Sequence, residues 1–274
     1  TRLTDNELLA IFDREVRREC EWTRMRREVL PAVVRYTEEG RLDGGGFISW
    51  SGLTTVVADG EIESQMAHFR ALGMELEWKL YTHDQPADLG ERLNRHGFKP
   101  GETGALMVMD IRDLRDDFWQ MDITKVFRVT TSEGVDAIIQ MENEVWGKDL
   151  ARVGEGLKND MRETPDLLSV FAIWDGGRVV SAAWTFYLKP TSFASLWGGS
   201  TLKEYRKQGL YRSLLVARAL EARERGYRFL QVDASPDSQP ILAKNGFRCL
   251  GYSTPYEWKP GDDSGLDNEL KVHF

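Results

Sequence analysis

The sequence predicts an α/β (α+β) protein of two tandem domains, each a mixed, mostly antiparallel sheet flanked by helices. Its 274 residues are more than most domains with a single hydrophobic core contain, and they fit two domains of roughly 100–150 residues. Short strand-like apolar runs alternate with longer helical patterns that stop at glycine, and the order of these elements recurs in the second half. We therefore predict domains over 1–122 and 123–274.

Composition excludes several classes of protein. Hydrophobic residues make up 41% and charged residues 29%, which supplies two packed cores and argues against disorder. The net charge of −8 disfavours a nucleic-acid partner and would attract a small cationic or amine substrate. No apolar run is long enough for a bilayer span and the first residues show no secretory core, so we expect no membrane partner. Only Cys20 and Cys249 are present, which predicts a reducing cytoplasm and no metal site.

The first half shows helix and strand patterns in regular alternation. Thr4 or Asp5 can cap an opening helix with an apolar side, and Pro31 confines the strand-like run 29–36 to an edge or a strand start. The further elements predicted are a strand at 47–50, a helix at 60–73, a strand at 76–81, a helix at 87–96 and a strand at 105–109.

The second half begins after the polar stretch 112–124. Asp175-Gly176-Gly177 is a strong hairpin signal between two strands. The predicted strands lie at 126–129, 167–174, 178–188, 193–197 and 229–232. The predicted helices lie at 132–145, 150–161, 210–225 and 238–244, and a last strand pair and a polar tail at 259–271 complete the pattern.

An internal repeat links the two halves. A shift of 149 positions (233 − 84) aligns two sets of four residues: Asp84, Leu93, Gly97 and Phe98 with Asp233, Leu242, Gly246 and Phe247. In both places a strand leads into a short helix that ends at Gly-Phe. The repeated order of elements favours duplication over chance.

The segment 195–247 holds the pattern that points to chemistry. A strand ends at Gly199-Ser200-Thr201, and a helix starts after Arg206-Lys207-Gln208-Gly209. A glycine at a strand-to-helix turn lets successive N–H groups point at one spot, and the positive helix end favours an anion. Arg206, Lys207 and Arg212 add positive charge to the turn. The pattern indicates a phosphate site, with a solvated basic turn as the alternative.

This stretch resembles the GNAT superfamily of acyl-CoA-dependent N-acyltransferases, whose signature Arg/Gln-x-x-Gly-x-Gly/Ala lies at this junction. Arg206 and Gly209 match, while Tyr211 replaces the last small residue. The resemblance covers 125–258 and, in weaker form, 1–110, so the chain is similar to a tandem GNAT protein whose first copy lacks the Arg-x-x-Gly turn.

The resemblance implies acetyl-CoA as co-substrate, with pantetheine along the strand and pyrophosphate on the turn. The cofactor-binding residues expected from it are Gly199, Ser200, Thr201, Arg206, Lys207, Gln208, Gly209, Leu210, Tyr211, Arg212 and Ser235.

Acyl transfer to an amine requires a neutral amine and a stabilised oxyanion. The resemblance implies a backbone N–H near Gly198 or Gly199 for the oxyanion. The positions that the family often uses for a carboxylate and a tyrosine acid hold Gln231 and Leu242, so no acid–base pair is inherited.

The remaining base candidates are Glu142 and Glu144, with two solvated helix carboxylates as the alternative. We select Glu144 as the base because Trp146 follows it closely and would bury it, with Glu142 as its control. Tyr252 is the candidate proton donor, and an ordinary core or edge aromatic is the alternative. The substrate-side residues predicted are Glu142, Trp184, Trp197 and Gln231, although tryptophans are more often core residues.

The function predicted is transfer of an acetyl, or another short acyl group, from acetyl-CoA to a primary amine of a small molecule or peptide. The alternative is a binding or regulatory module that holds an acyl-CoA without turnover, which the missing acid–base positions favour. The sequence identifies neither the acceptor nor the oligomeric state, and it leaves a homodimer open.

Overall fold

The computed structural model describes residues 2–39 and 45–261, which form one mixed sheet flanked by helices. The α-helices are α1 (Asp5–Phe12), α2 (Ala58–Leu72), α3 (Leu89–Arg95), α4 (Asp116–Trp119), α5 (Ser132–Trp146), α6 (Ala151–Glu163), α7 (Leu210–Glu224) and α8 (Gln239–Lys244). The strands are β1 (Met25–Val29), β2 (Val33–Glu38), β3 (Gly45–Ser51), β4 (Glu75–Tyr81), β5 (Lys99–Pro100), β6 (Gly104–Asp110), β7 (Phe127–Val129), β8 (Leu168–Asp175), β9 (Arg178–Tyr187), β10 (Phe193–Thr201), β11 (Phe229–Ala234) and β12 (Arg248–Trp258). The α/β class with a mixed, mostly antiparallel sheet is confirmed.

The two halves of the chain exchange strands at the centre of this sheet. The strand order is β1-β2-β3-β4-β12-β6-β11-β10-β9-β8-β7, with β5 beside β12. Strand β6 of the first half therefore pairs with β11 of the second, while β12 of the second half pairs with β4 of the first. Two parallel pairs, β3 with β4 and β10 with β11, lie one in each half, and α2 and α7 cross over between their strands. Because of this exchange, one continuous sheet runs through both halves of the chain. The domain boundary expected at residue 122 stays a prediction.

Most predicted elements are present within a few residues of their expected ends, and two need correction. The run at 29–36 is not one strand, because Pro31 lies in the turn between β1 and β2. The expected last strand pair is the single strand β12, which bulges between Cys249 and Gly251. The predicted tail at 259–271 lies outside the described residues from position 262 onward.

The internal repeat is structural at three of its four positions. Leu93 and Leu242 are both buried beneath their short helices, Gly97 and Gly246 both have positive φ, and Phe98 and Phe247 are both buried. The alignment of Asp84 with Asp233 is wrong, because Asp84 lies in the loop after β4 and Asp233 lies on β11. The loop before α3 is longer than the loop before α8, so the same distance from the helix reaches a loop in the first half and a strand in the second.

Candidate functional site

A cleft opens between β10 and β11, the parallel strands of the second half. The strands pair only over Phe193–Ser195 and Phe229–Gln231 and then part, although each continues further. On its other side β10 pairs with β9, and this ladder shifts between Gly198 and Ser200, so Gly199 has no partner residue in it. Strand β10 thus bulges just beyond the point where it parts from β11, and Gly199 lies outside the ladder with β9.

The bulge depends on glycine at position 198. Gly198 has φ +66°, and a Cβ there would lie 2.6 Å from Cζ3 of the Trp184 ring. Trp184 is therefore a buried core residue that shapes the bulge from below, and its predicted place on the substrate side has no support in this packing.

Gly198→Ala is expected to lower the free energy of unfolding by about 1–3 kcal/mol, because it adds steric overlap to backbone strain. Gly176→Ala is the matched control, since Gly176 also has positive φ (+56°) but nothing lies within 4 Å of its Cβ direction. Denaturant titration of both variants measures the difference, and equal losses would show that Trp184 does not constrain the bulge.

The turn after β10 presents unsatisfied donors at the start of α7. Lys207 and Gly209 both have positive φ (+62° and +84°), and no side chain caps the helix. The first amides of α7 therefore lack intrahelical acceptors. The Nε atom of Arg212 is also buried without a hydrogen-bond partner among the described residues. This combination fits an anion, whereas the Arg206 side chain folds back to the Thr201 carbonyl (3.2 Å).

Tyr211 and Arg218 extend from α7 towards the same cleft. A Cβ at Gly199 would lie 2.9 Å from Cε2 of Tyr211, so the tyrosine ring lies directly against the bulge. Tyr211 also lies close to Arg218, which is only 2% exposed. Arg218 donates to the carbonyls of Trp197 (3.3 Å) and Leu214 (3.2 Å). Burial lowers the pKa of Arg218, and the nearby tyrosines Tyr211 and Tyr187 oppose that shift.

A buried carboxylate lies on the other side of the bulge. Glu142 is 2% exposed and accepts hydrogen bonds from Ser200 Oγ (2.6 Å) and Trp146 Nε1 (2.8 Å), while its Oε1 has no partner among the described residues. Burial raises the pKa of Glu142, and the two hydrogen bonds reduce that rise. Glu142 is thus adjacent to the bulge through Ser200, the residue that follows Gly199.

The expected burial of Glu144 is wrong. Its side chain is 55% exposed and pairs with Arg178 (3.0 Å). The helical period predicts this outcome, because Val135, Ile138, Ile139 and Glu142 share the buried face and Glu144 does not. Trp146 contacts Glu142, one helical turn before it, rather than Glu144.

Gln231 and Trp197 meet at Ser195, where β10 and β11 part, and their place on the substrate side stays a prediction. Gln231 and Trp197 both donate to Ser195 Oγ, the latter over 2.8 Å. Trp197 is 47% exposed and packs edge-on against Phe186. The exposed ring of Trp197 therefore lies beside the buried side chains of Gln231 and Ser195, at the point where β10 and β11 part.

Tyr252 lies away from the bulge, whereas Ser235 directly follows β11. Tyr252 is on β12, with β6 and β11 between it and β10, and it lines a cavity of about 290 Å³ with Thr82 and Pro86. The structure therefore does not bring Tyr252 to the bulge. Ser235 accepts from the Ser238 amide (3.3 Å) in the turn before α8. The hydroxyl groups of Ser181 and Thr201 form a hydrogen bond (2.7 Å) at the end of β10.

One ion pair near the cleft could not be predicted from the sequence. Asp233, two residues after Gln231 on β11, contacts Lys79 of β4 and accepts from Ser253 Oγ (3.0 Å). Lys79 and Asp233 are 154 positions apart, so no local pattern indicates the pair. The exchange of β6 and β12 brings them together.

The equivalent cleft of the first half is filled by Arg17. Strands β3 and β4 pair only over Gly45–Ile48 and Glu75–Trp78, and the ladder between β2 and β3 shifts at Ser49. Arg17 Nε donates to the Ser49 carbonyl (2.9 Å), and its guanidinium pairs with Asp84 (2.8 Å). A buried ion pair therefore occupies the place that the cleft leaves open in the second half.

Comparison with known proteins identifies the fold. Many solved structures share it; a GCN5-related N-acetyltransferase from Kribbella flavida is 17% identical over 94% of both chains, with a TM-score of 0.62. A tandem GNAT protein from the clavulanic acid biosynthesis pathway is 13% identical over 84% of this chain and 79% of its own, with a TM-score of 0.56. A GCN5-related N-acetyltransferase-like protein from Streptococcus suis is 16% identical over 93% and 98%, with a TM-score of 0.54.

No protein-family model and no curated protein matches the sequence. The solved structures therefore establish the fold, and the chain has the fold of the GNAT acetyltransferases, including one in tandem form. The resemblance drawn from the turn at Arg206–Tyr211 is confirmed at the level of the fold.

Neither a membrane-spanning helix nor a metal centre is present in the part of the chain that the structure describes. Within residues 2–39 and 45–261, no helix has both the length and the apolar character to cross a bilayer. Over the same ranges, no group of three or more His, Cys, Asp or Glu side chains is placed to hold a metal ion.

Proposed function

We propose that the protein is an N-acyltransferase that moves an acetyl or other short acyl group from acetyl-CoA to a primary amine. The observation that carries the proposal is the parted pair β10 and β11, with a bulge at Gly199 and an uncapped helix start at Leu210. An extended thioester would pair with the free edge of β10, and its phosphates would bind the amides at 207–212.

The bulge supports a role for Gly199 in acyl transfer. When the amine attacks, the thioester carbonyl oxygen becomes negative, and a preorganised backbone N–H stabilises that charge. Gly199 has no partner residue in the ladder with β9, so its N–H is our candidate for this donor. The C–N bond then forms, the C–S bond breaks, and the electron pair of that bond leaves on sulfur.

Glu142 is our candidate for the proton acceptor, acting through Ser200. The amine must lose a proton as the C–N bond forms, and Ser200 lies next to Gly199 with its hydroxyl donating to Glu142 (2.6 Å). The raised pKa of Glu142 suits a base that works nearer neutral pH than an ordinary carboxylate. The net charge of −8 would draw a cationic amine towards the protein.

The proposal is tested by mixing the protein with acetyl-CoA and a library of amines. We expect free thiol to be released only in the presence of an amine acceptor, with the acetylated amine detected by mass spectrometry. Binding of acetyl-CoA without thiol release for any amine would instead support the non-catalytic alternative. Absence of acetyl-CoA binding would contradict both.

Only one acetyl-CoA is expected to bind per chain, because Arg17 and Asp84 fill the cleft of the first half. Isothermal titration calorimetry measures the stoichiometry directly. Two equivalent sites per chain would show that the first-half cleft opens on binding.

A further inference from the structure

The guanidinium of Arg218 is a buried charge without a counter-ion. It is 2% exposed, and among the described residues no carboxylate forms an ion pair with it. It donates to the backbone carbonyls of Leu214 and Trp197, and the side chains of Tyr211 and Tyr187 lie nearby. Taking a charge out of water without pairing it is costly. We therefore expect the anion that pairs with Arg218 to be part of a bound ligand.

The position of Arg218 relates that charge to the cleft. Its Nη1 donates to the Trp197 carbonyl, two residues before Gly199 and thus about 7 Å from it along β10. Tyr211 lies in the same interval, with its ring against Gly199 and its side chain close to Arg218. The Tyr211 side chain therefore lies between the Arg218 charge and the bulge at Gly199.

The acid that would neutralise a departing sulfur is missing from its expected place. Leu242 occupies the position that the resemblance assigns to a tyrosine, and Tyr252 is separated from β10 by two strands. Within the proposed function, the sulfur acquires the electron pair of the broken C–S bond beside the bulge. A nearby positive charge in a medium of low dielectric stabilises that thiolate without transferring a proton.

We propose that Arg218 is the counter-charge for the CoA thiolate that leaves during acyl transfer, with Tyr211 lying between it and the bulge. The inference rests on the proposed function and deepens it. The amine nitrogen gains the acyl carbon, the sulfur leaves with its electron pair, and the amine proton passes to Ser200 and Glu142. The thiolate then takes a proton from solvent after release.

The test is an ultraviolet titration of the thiol of CoA bound to the wild-type protein and to Arg218→Met. We expect the thiolate fraction at neutral pH to be about tenfold higher on the wild-type protein, because a positive charge lowers the pKa of a thiol. Arg218→Lys, which keeps the charge, should give an intermediate value. Arg223→Met is the matched control, since Arg223 is an exposed arginine on the same helix that stacks on Trp119 (4.1 Å).

Stability separates this role from a purely structural one. Replacing a buried, unpaired charge by an apolar side chain of similar length should leave the melting temperature unchanged or higher. A structural arginine would instead give a lower melting temperature and an unchanged thiol titration. Equal titration of CoA on the wild-type protein and Arg218→Met would overturn the inference and leave the proposed function intact. Failure of the wild-type protein to bind CoA would overturn both.

Discussion

Gly209→Glu is expected to abolish CoA binding while the chain stays folded. Gly209 precedes α7 with φ +84°, and the amides that follow it have no side-chain cap. A glutamate there would place a negative charge among donors that the proposal assigns to phosphates, and it would screen the positive end of the helix. We expect the affinity for CoA to fall by at least a hundredfold, measured by calorimetry.

Gly226→Glu is the matched control for this variant. Gly226 follows the other end of α7, also with φ +84°, and nothing lies within 4 Å of its Cβ direction. Both substitutions therefore carry the same backbone strain, and only the first alters the turn after β10. If both variants lose CoA affinity equally, strain on α7 is the cause and the phosphate site is elsewhere.

Glu142→Gln is expected to lower turnover by about 10²–10⁴-fold, the range typical for loss of a general base. The Ser200 and Trp146 hydrogen bonds can persist with an amide, so the acyl-CoA affinity should change little. In the wild-type protein, activity should rise with pH through the raised pKa of Glu142, and the variant should lack that rise. A profile of kcat/KM against pH measures both effects.

The same substitution should not destabilise the fold at neutral pH. Burial raises the pKa of Glu142 above its value in the unfolded chain. Its contribution to stability is therefore complete below the unfolded pKa and is lost as pH rises through the folded pKa. Glutamine removes that loss, so we expect an unchanged or higher melting temperature at neutral pH.

Glu144→Gln serves as the control for Glu142→Gln. Its exposed pair with Arg178 is worth at most about 1 kcal/mol, and we expect no change in turnover. Equal, small losses from both variants would mean that solvent takes the proton of the amine. The protein would then act by positioning and oxyanion stabilisation alone.

The local parts of the candidate site follow from the amino-acid sequence alone. Glycine at 209 and 199 marks positive φ, because only glycine adopts it without a steric cost. The helical period also places Glu142 and Arg218 on buried faces of α5 and α7, where they interrupt apolar rows, although we predicted burial of Glu144 from its neighbour Trp146. A charged residue in such a row is itself a signal in the sequence, and it distinguishes both residues from the solvated charges around them.

Contacts between residues far apart in the chain arise only from the tertiary structure. Local periodicity says which face of a helix is buried, but not which strand it meets, so it could not join Arg218 to the Trp197 carbonyl or Lys79 to Asp233. The exchange of β6 and β12 has no local signature, because either half could have closed its own sheet with the same alternation of side chains. The filling of the first-half cleft is likewise a long-range contact, because Arg17 and Asp84 are 67 positions apart and their pairing offsets much of the cost of burying the arginine.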